Sequence, residues 1–181
     1  MSNYIRRFVP GGTFFFTARL QDPASDLLVR KIDLLRDATR LCQKRWPFII
    51  DAAVVLPNAV HMIWTLPPDD AAYSIRWRMI KTTFSRHVPP ATDRTTTQLR
   101  RGEKGIWQRR FWEHMIRDQA DFQFHMHVIA AAPVHAGLVR APGGWRFSTV
   151  QRRKVGLDPP TARTTGRVPL GQGPATAATA N

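Results

Sequence analysis

The sequence predicts an α+β fold, a ferredoxin-like antiparallel sheet with helices on one face plus an additional C-terminal helix. Two features predict this class. Apolar runs of strand length alternate with longer stretches of helical periodicity in the order β-α-β-β-α-β-α, which is a split βαβ sheet followed by one more helix. A hydrophobic share of 43% in 181 residues is also sufficient for one domain with its own core.

The first half of the chain supplies three strands and one helix. The aromatic, β-favouring stretch 11–20 follows a Pro-Gly-Gly turn and predicts a strand. Segment 25–46 carries apolar residues at helical spacing with charged residues between them, which predicts an amphipathic helix. Segments 47–57 and 59–67 are apolar runs joined by a Pro-Asn turn, so they predict an antiparallel hairpin.

The second half predicts a helix, a loop, a strand and a last helix. Segment 71–88 has an apolar stripe at helical spacing, whereas 89–104 is polar without periodicity and predicts a flexible basic loop. The aromatic and basic segment 105–117 predicts a strand with an irregular start. A helix is expected from Asp118 to about Ala132, and Pro133 is expected to end or bend it.

The composition predicts one domain over 1–153 and a disordered tail over 154–181. The tail consists mainly of Pro, Gly, Thr, Ala and Arg, and it has too few large apolar residues to offset the entropy of ordering. No apolar run approaches the ~20 residues that span a bilayer, and the N-terminus has no apolar signal core. With a single cysteine, the chain is expected to be cytoplasmic, with no membrane partner.

The charge balance predicts a nucleic-acid partner. The chain has 27 Lys and Arg against 13 Asp and Glu, a formal net charge of +14. The alternative is that these are solvated surface charges without a ligand. The basic residues predicted to contact DNA lie before the first strand, on the 71–88 helix and after the basic loop: Arg6, Arg7, Arg76, Arg78, Lys81, Arg86, Arg109 and Arg110.

Several stretches together resemble one known family. They include "VPGGTFFFTARL", "WPFIIDAAVVLPNAVHMIWTLP", "GIWQRRFWEHMIRD" and "PVHAGLV", within about residues 4–150. The sequence resembles the REP-associated tyrosine transposases, bacterial relatives of the single-stranded-DNA transposases of the HUH class. The resemblance implies cleavage of single-stranded DNA beside palindromic hairpins by a tyrosine nucleophile. It also implies a divalent metal, Mg²⁺ or Mn²⁺, held by two histidines one residue apart on a strand.

The chain departs from the family at the residues that carry this chemistry. The two metal-binding histidines fall on Ala59 and His61, so only the second is present. The nucleophilic tyrosine falls on Val128, and the polar helper one helical turn later falls on Ala132. Valine and alanine offer neither a nucleophile nor a lone pair for a metal. The resemblance therefore implies DNA binding with the catalytic reaction lost or much weakened.

Histidines and tryptophans near these positions allow more than one interpretation. His125 and His127 flank position 128, but a helix rotates each of them ~100° or more away from it. His114 is either a ligand or a histidine hydrogen-bonded within the sheet, and the second is favoured. The aromatic residues that either pack in the core or stack on bases are Trp64, Trp107 and Trp112.

Three functions therefore stay open. The protein is an active metal-dependent transposase, a non-catalytic protein that binds hairpin or single-stranded DNA, or a degenerate transposase remnant. The favoured interpretation is a family member that acts on hairpin or single-stranded DNA with impaired catalysis, because the basic residues persist while three of four chemical positions are apolar. The non-catalytic DNA-binding protein and the degenerate remnant are the alternatives. Either a monomer or a homodimer is compatible with the sequence.

Overall fold

The computed structural model describes residues 9–149 and contains a four-stranded sheet with helices on both faces. The strands are β1 (Thr13–Arg19), β2 (Ile49–Val55), β3 (Ala59–Thr65) and β4 (Trp112–Met115). The helices are α1 (Leu27–Arg30), α2 (Ile32–Arg45), α3 (Tyr73–Arg86), α4 (Thr96–Arg100) and α5 (Gln119–His135). No helix in this part of the chain is long and apolar enough to cross a bilayer. Arg6, Arg7 and the tail over 154–181 lie outside the described residues.

The strand order is β2-β3-β1-β4, and every neighbouring pair is antiparallel. This order confirms the predicted ferredoxin-like sheet. The β2–β3 hairpin closes as expected over the Pro-Asn turn, where the Leu56 N–H donates to the Ala59 carbonyl at 2.8 Å. Side chains alternate along each strand, so Phe14 and Phe16 face one side of the sheet and Phe15 faces the other.

Each face of the sheet buries its own core. On one face α2 and α3 cover β1 and β3, and Trp64 of β3 stacks on Trp77 of α3 with ring centroids 4.7 Å apart. On the opposite face α5 packs against β2 and β3, with Ile129 fully buried. The additional C-terminal helix is therefore present, and it lies across the sheet from the other long helices.

Helix α5 runs three residues beyond the predicted end at Ala132. Pro133 lies inside the helix, near its last turn, where a missing N–H removes only one backbone hydrogen bond. The helix ends at His135 with Ala136 as its C-cap, and the next residue, Gly137, adopts a positive φ of 68° that favours glycine. Ala132 is therefore helical, and both it and Val128 pack against the sheet.

Two predicted elements differ in detail. The helix predicted over 25–46 is divided at Lys31, whose backbone leaves the helical region (φ −113°, ψ 36°) while both halves keep buried faces. The predicted flexible loop over 89–104 contains α4, which Thr95 caps through the Gln98 N–H at 3.2 Å. Its ends are joined by the Ala91 N–H, which donates to the Lys104 carbonyl at 2.8 Å.

Candidate nucleic-acid interface and metal site

His61 lies on β3, on the face of the sheet that α5 partly covers. A 2.8 Å hydrogen bond joins its Nδ1 to Thr17 Oγ1, directly opposite on β1. Its ring is nearly parallel to that of Phe15, with centroids 5.9 Å apart. Burial, aided by the nearby Arg19 charge, lowers the pKa of His61 to about 4. The imidazole is therefore neutral at pH 7.

The other three positions of the expected site belong to one apolar cluster. Ala59 is fully buried in it, and Val128 and Ala132 of α5 pack against it. Ala59 also precedes His61 by two residues on the same strand face, so the fold brings these positions to one side of the sheet. These four residues, called the His61 region below, offer one side chain able to coordinate a metal, the His61 imidazole.

A second group of potential metal ligands was not predicted as a unit. Side-chain atoms of His114, Asp121 and His125 all lie within 4.8 Å of one another. Asp121 accepts from His114 Nε2 at 2.9 Å and from the Arg117 N–H and Nε at 3.1 and 3.0 Å. These hydrogen bonds, with His114 first, hold the pKa of Asp121 well below its usual range. The group therefore joins β4 to α5 through an ionised carboxylate.

The three histidines considered from the sequence have different environments. His114 is hydrogen-bonded as favoured, but its partner is Asp121 on α5. His125 is buried, and its Nδ1 donates to the Asp121 carbonyl at 2.9 Å. His127 is exposed on α5. The only sequence signal for the group was the spacing of four residues between Asp121 and His125, since the contact with β4 depends on tertiary structure.

An open cavity with a volume of about 760 Å³ lies between α3 and the segment over 102–111. It contains four of the residues predicted to bind DNA together with one further lysine: Arg78, Lys81, Arg86, Lys104 and Arg109. Glu103 is the one carboxylate residue that lines it. Arg110 is exposed beside it. This surface, called the basic groove below, has the charge and shape that suit a phosphate backbone.

Packing under the basic groove fixes the position of Lys81. Its Nζ donates to the Gln108 carbonyl at 3.0 Å and lies 5.7 and 5.6 Å from the ring centroids of Trp107 and Phe111. Lys104 Nζ likewise donates to the carbonyls of Arg86 and Val88. The groove therefore has an ordered floor, and the side chains of Arg78, Arg86 and Arg109 are exposed.

The prediction that Arg76 contacts DNA is wrong. Its side chain is 0% exposed and its guanidinium forms a forked pair with Asp70, with nitrogen–oxygen distances of 2.6 and 3.1 Å. Its Nη2 also donates to the Pro47 carbonyl at 2.7 Å. The pairing with Arg76 is the main cause that lowers the pKa of Asp70. Arg76 is therefore a core residue of α3.

The three tryptophans also have distinct places. Trp64 is fully buried, so it cannot stack on a base. Trp107 lies on the wall of the basic groove. Trp112 is exposed at the β4 edge of the sheet.

Comparison with known proteins identifies the family. No protein-family model matches the sequence. A REP-associated tyrosine transposase of Escherichia coli strain K12 is 41% identical over 152 residues, which is 84% of each chain. A Haemophilus influenzae relative assigned to the same family is 39% identical over 153 residues, 84% of this chain and 87% of its own.

A solved structure shows the same fold. It is a REP-associated tyrosine transposase bound to a REP hairpin, and it superposes with a TM-score of 0.74 at 41% identity over 86% of both chains. The sequence identity of about 40% with these relatives extends over more than four fifths of the chain, and the fold is shared as well. The chain therefore belongs to the REP-associated tyrosine transposase family.

Proposed function

We propose that the protein binds REP-type hairpin DNA and does not carry out the strand cleavage of its family. The observation that carries this proposal is the His61 region, where three of four expected chemical positions are apolar side chains packed in a core cluster. The basic groove persists on the other face of the sheet. The residues proposed to bind DNA therefore lie apart from the positions where the family's cleavage residues are expected.

Support for binding comes from charge and from a relative. Five cationic residues line the basic groove against one carboxylate, and arginine pairs well with phosphate through its forked guanidinium. The related structure at 41% identity is bound to a REP hairpin. The same partner is the simplest ligand for a groove of this charge on the same fold.

The proposed loss of cleavage follows from the missing nucleophile. Transesterification of DNA by this family requires a phenolic oxygen, and Val128 has no oxygen in its side chain. Tyr73 is the single tyrosine among residues 9–149, and it is buried in the opposite core with its hydroxyl 3.3 Å from Glu113. Tyr4 lies outside the described residues.

The family's divalent metal does not fit the His61 region. Mg²⁺ and Mn²⁺ need several oxygen or nitrogen ligands, and a lone imidazole among Ala59, Val128 and Ala132 supplies one. That imidazole is also engaged by Thr17 through Nδ1. We therefore assign no reaction step to a metal at this position.

A binding comparison tests the proposed partner. We expect a labelled REP-type palindromic hairpin to be retained at least 10-fold more tightly than a hairpin with a scrambled stem of equal length. Affinity for both is expected to fall as salt rises, because each phosphate contact releases counterions. Equal retention of the two hairpins in a filter-binding titration would show that the charge is not used for specific recognition.

A further inference from the structure

The group of His114, Asp121 and His125 opens onto a cavity of about 520 Å³ beside the first turns of α5. All three side chains line this cavity. His114 comes from β4, whereas Asp121 and His125 are four residues apart on α5 and therefore share one face of the helix. Within residues 9–149, which contain all six histidines of the chain, this is the one group of three potential metal ligands. An ion in solvent can therefore reach three ligating side chains from the cavity.

One oxygen of Asp121 already lies at the spacing of a metal site from both imidazoles. Its Oδ1 is 3.2 Å from His114 Nε2 and 3.2 Å from His125 Nδ1. Donor atoms around a tetrahedral zinc ion with bonds of about 2.1 Å are about 3.4 Å apart. A neutral imidazole offers either ring nitrogen once its proton is on the other one, so a metal bond replaces the hydrogen bonds that these two nitrogens now make. The three ligand atoms lie within 4.8 Å of one another, so small ring movements complete the set.

Outer contacts hold the Asp121 carboxylate in place. Its Oδ2 accepts from the Arg117 N–H at 3.1 Å and from Arg117 Nε at 3.0 Å, which leaves Oδ1 for a metal. Partners of this kind orient a ligating carboxylate in metal sites and tune its affinity. Asp118 also lines the cavity, and its Oδ1 accepts from the Asp121 N–H at 2.8 Å, so a second negative charge offsets that of Arg117. The carboxylate is therefore oriented before any ion binds.

We infer that the chain binds one Zn²⁺ ion through His114, Asp121 and His125, at the junction of β4 and α5. Two imidazoles and one carboxylate suit Zn²⁺, whereas Mg²⁺ prefers oxygen ligands. Three protein ligands leave a fourth position for water on the side of the cavity. Because β4 is a four-residue strand at the edge of the sheet, the ion cross-links it to α5 and stabilises the fold. This site is distinct from the His61 region, and the inference does not depend on the proposed DNA binding.

Titration of chelator-treated protein with Zn²⁺, followed by calorimetry, tests the site. We expect the wild type to bind one Zn²⁺ per chain. At a free Zn²⁺ concentration 100-fold above Kd, the thermal unfolding midpoint should rise by about 8 °C, because the ion binds the folded state alone. Mg²⁺ at the same concentration should leave the midpoint unchanged. Co²⁺ in place of Zn²⁺ should give a visible absorption that saturates at one equivalent, which reports coordination directly.

His114→Ala is expected to weaken Zn²⁺ binding about 100-fold and to abolish the rise in midpoint. The His114 side chain is 29% exposed, so its removal opens little of the core. Asp121→Asn keeps the size of the side chain and should show the same loss, which provides a second variant.

His127→Ala is the matched control, because it removes an exposed imidazole from the same helix, and it should bind Zn²⁺ like the wild type. Absence of Zn²⁺ binding by the wild type would overturn the inference and leave the proposed function standing. Wild-type affinity in both His114→Ala and Asp121→Asn would overturn it as well. Equal losses in His114→Ala and His127→Ala would show that surface histidines hold the ion, which also contradicts the inference.

Discussion

Replacing Arg78, Arg86 and Arg109 together by glutamine is expected to weaken hairpin binding about 100-fold at 0.1 M salt. All three side chains line the basic groove and are exposed, so their loss removes phosphate contacts without opening the core. The slope of log affinity against log salt should fall by about 3, since each contact contributes about 0.9. Filter-binding titrations over a range of salt concentrations measure both quantities.

A matched control removes the same charge elsewhere. Arg30, Arg36 and Arg40 lie on α1 and α2, where each pairs with an aspartate three or four residues away. Replacing these three by glutamine lowers the net charge equally and should change affinity only a few-fold, through the general field of the protein. Equal losses in the two triple variants would show that net charge alone governs binding and that the basic groove is not the interface.

Replacing Arg76 by alanine is expected to lower the free energy of unfolding by about 3 kcal/mol. The change removes a fully buried guanidinium and leaves Asp70 without its forked partner and the Pro47 carbonyl without a donor. Truncating one member of a buried pair is costly because the remaining charge stays partly out of water. Urea unfolding followed by tryptophan fluorescence gives the change in midpoint and slope.

Its neighbour Arg78 provides the control on the same helix. Arg78 is exposed and lines the basic groove, so Arg78→Ala should change the unfolding free energy by less than about 0.5 kcal/mol while it weakens DNA binding. Arg76→Ala should show the opposite pattern in conditions where it remains folded. Wild-type stability in Arg76→Ala would mean that the ion pair with Asp70 contributes nothing to the fold.

The two arginines also show what the sequence could and could not predict. The helical spacing of Tyr73, Trp77, Ile80 and Phe84 predicts the apolar stripe of α3, and the structure buries all four. Arg76 falls on the same stripe, three residues after Tyr73, but its charge suggested the surface. Its burial depends on Asp70 and Pro47, which approach from outside the helix, and periodicity contains no information about such partners.

The His61 region, the group of His114, Asp121 and His125, and the basic groove also differ in how far the sequence predicts them. Strand alternation was sufficient to place Ala59 and His61 on one face, because that relation is local. The bond between His114 and Asp121 joins a strand to a helix, so no fixed spacing encodes it. The basic groove likewise required the fold, which brings Lys104 and Arg109 beside α3. Composition identified these residues as basic without showing which of them share a surface.

The central claim is that the His61 region lacks the chemistry to cut DNA. The most direct measurement incubates the protein with Mg²⁺ or Mn²⁺ and an end-labelled REP-type hairpin that carries single-stranded flanks. On a denaturing gel, a covalent protein–DNA adduct then migrates as a separate band. The REP-associated tyrosine transposase of Escherichia coli is run in parallel on the same hairpin for comparison. A variant with Ala59→His, Val128→Tyr and Ala132→Asn tests gain of function once its folding is verified, because an imidazole at the buried position 59 costs about 1–3 kcal/mol.

We predict that the wild-type protein retains the hairpin on a native gel and forms no adduct on the denaturing gel with either metal. The restored variant should form the adduct, because it regains a phenol and two metal-binding histidines. A metal-dependent adduct formed by the wild-type protein would contradict the account.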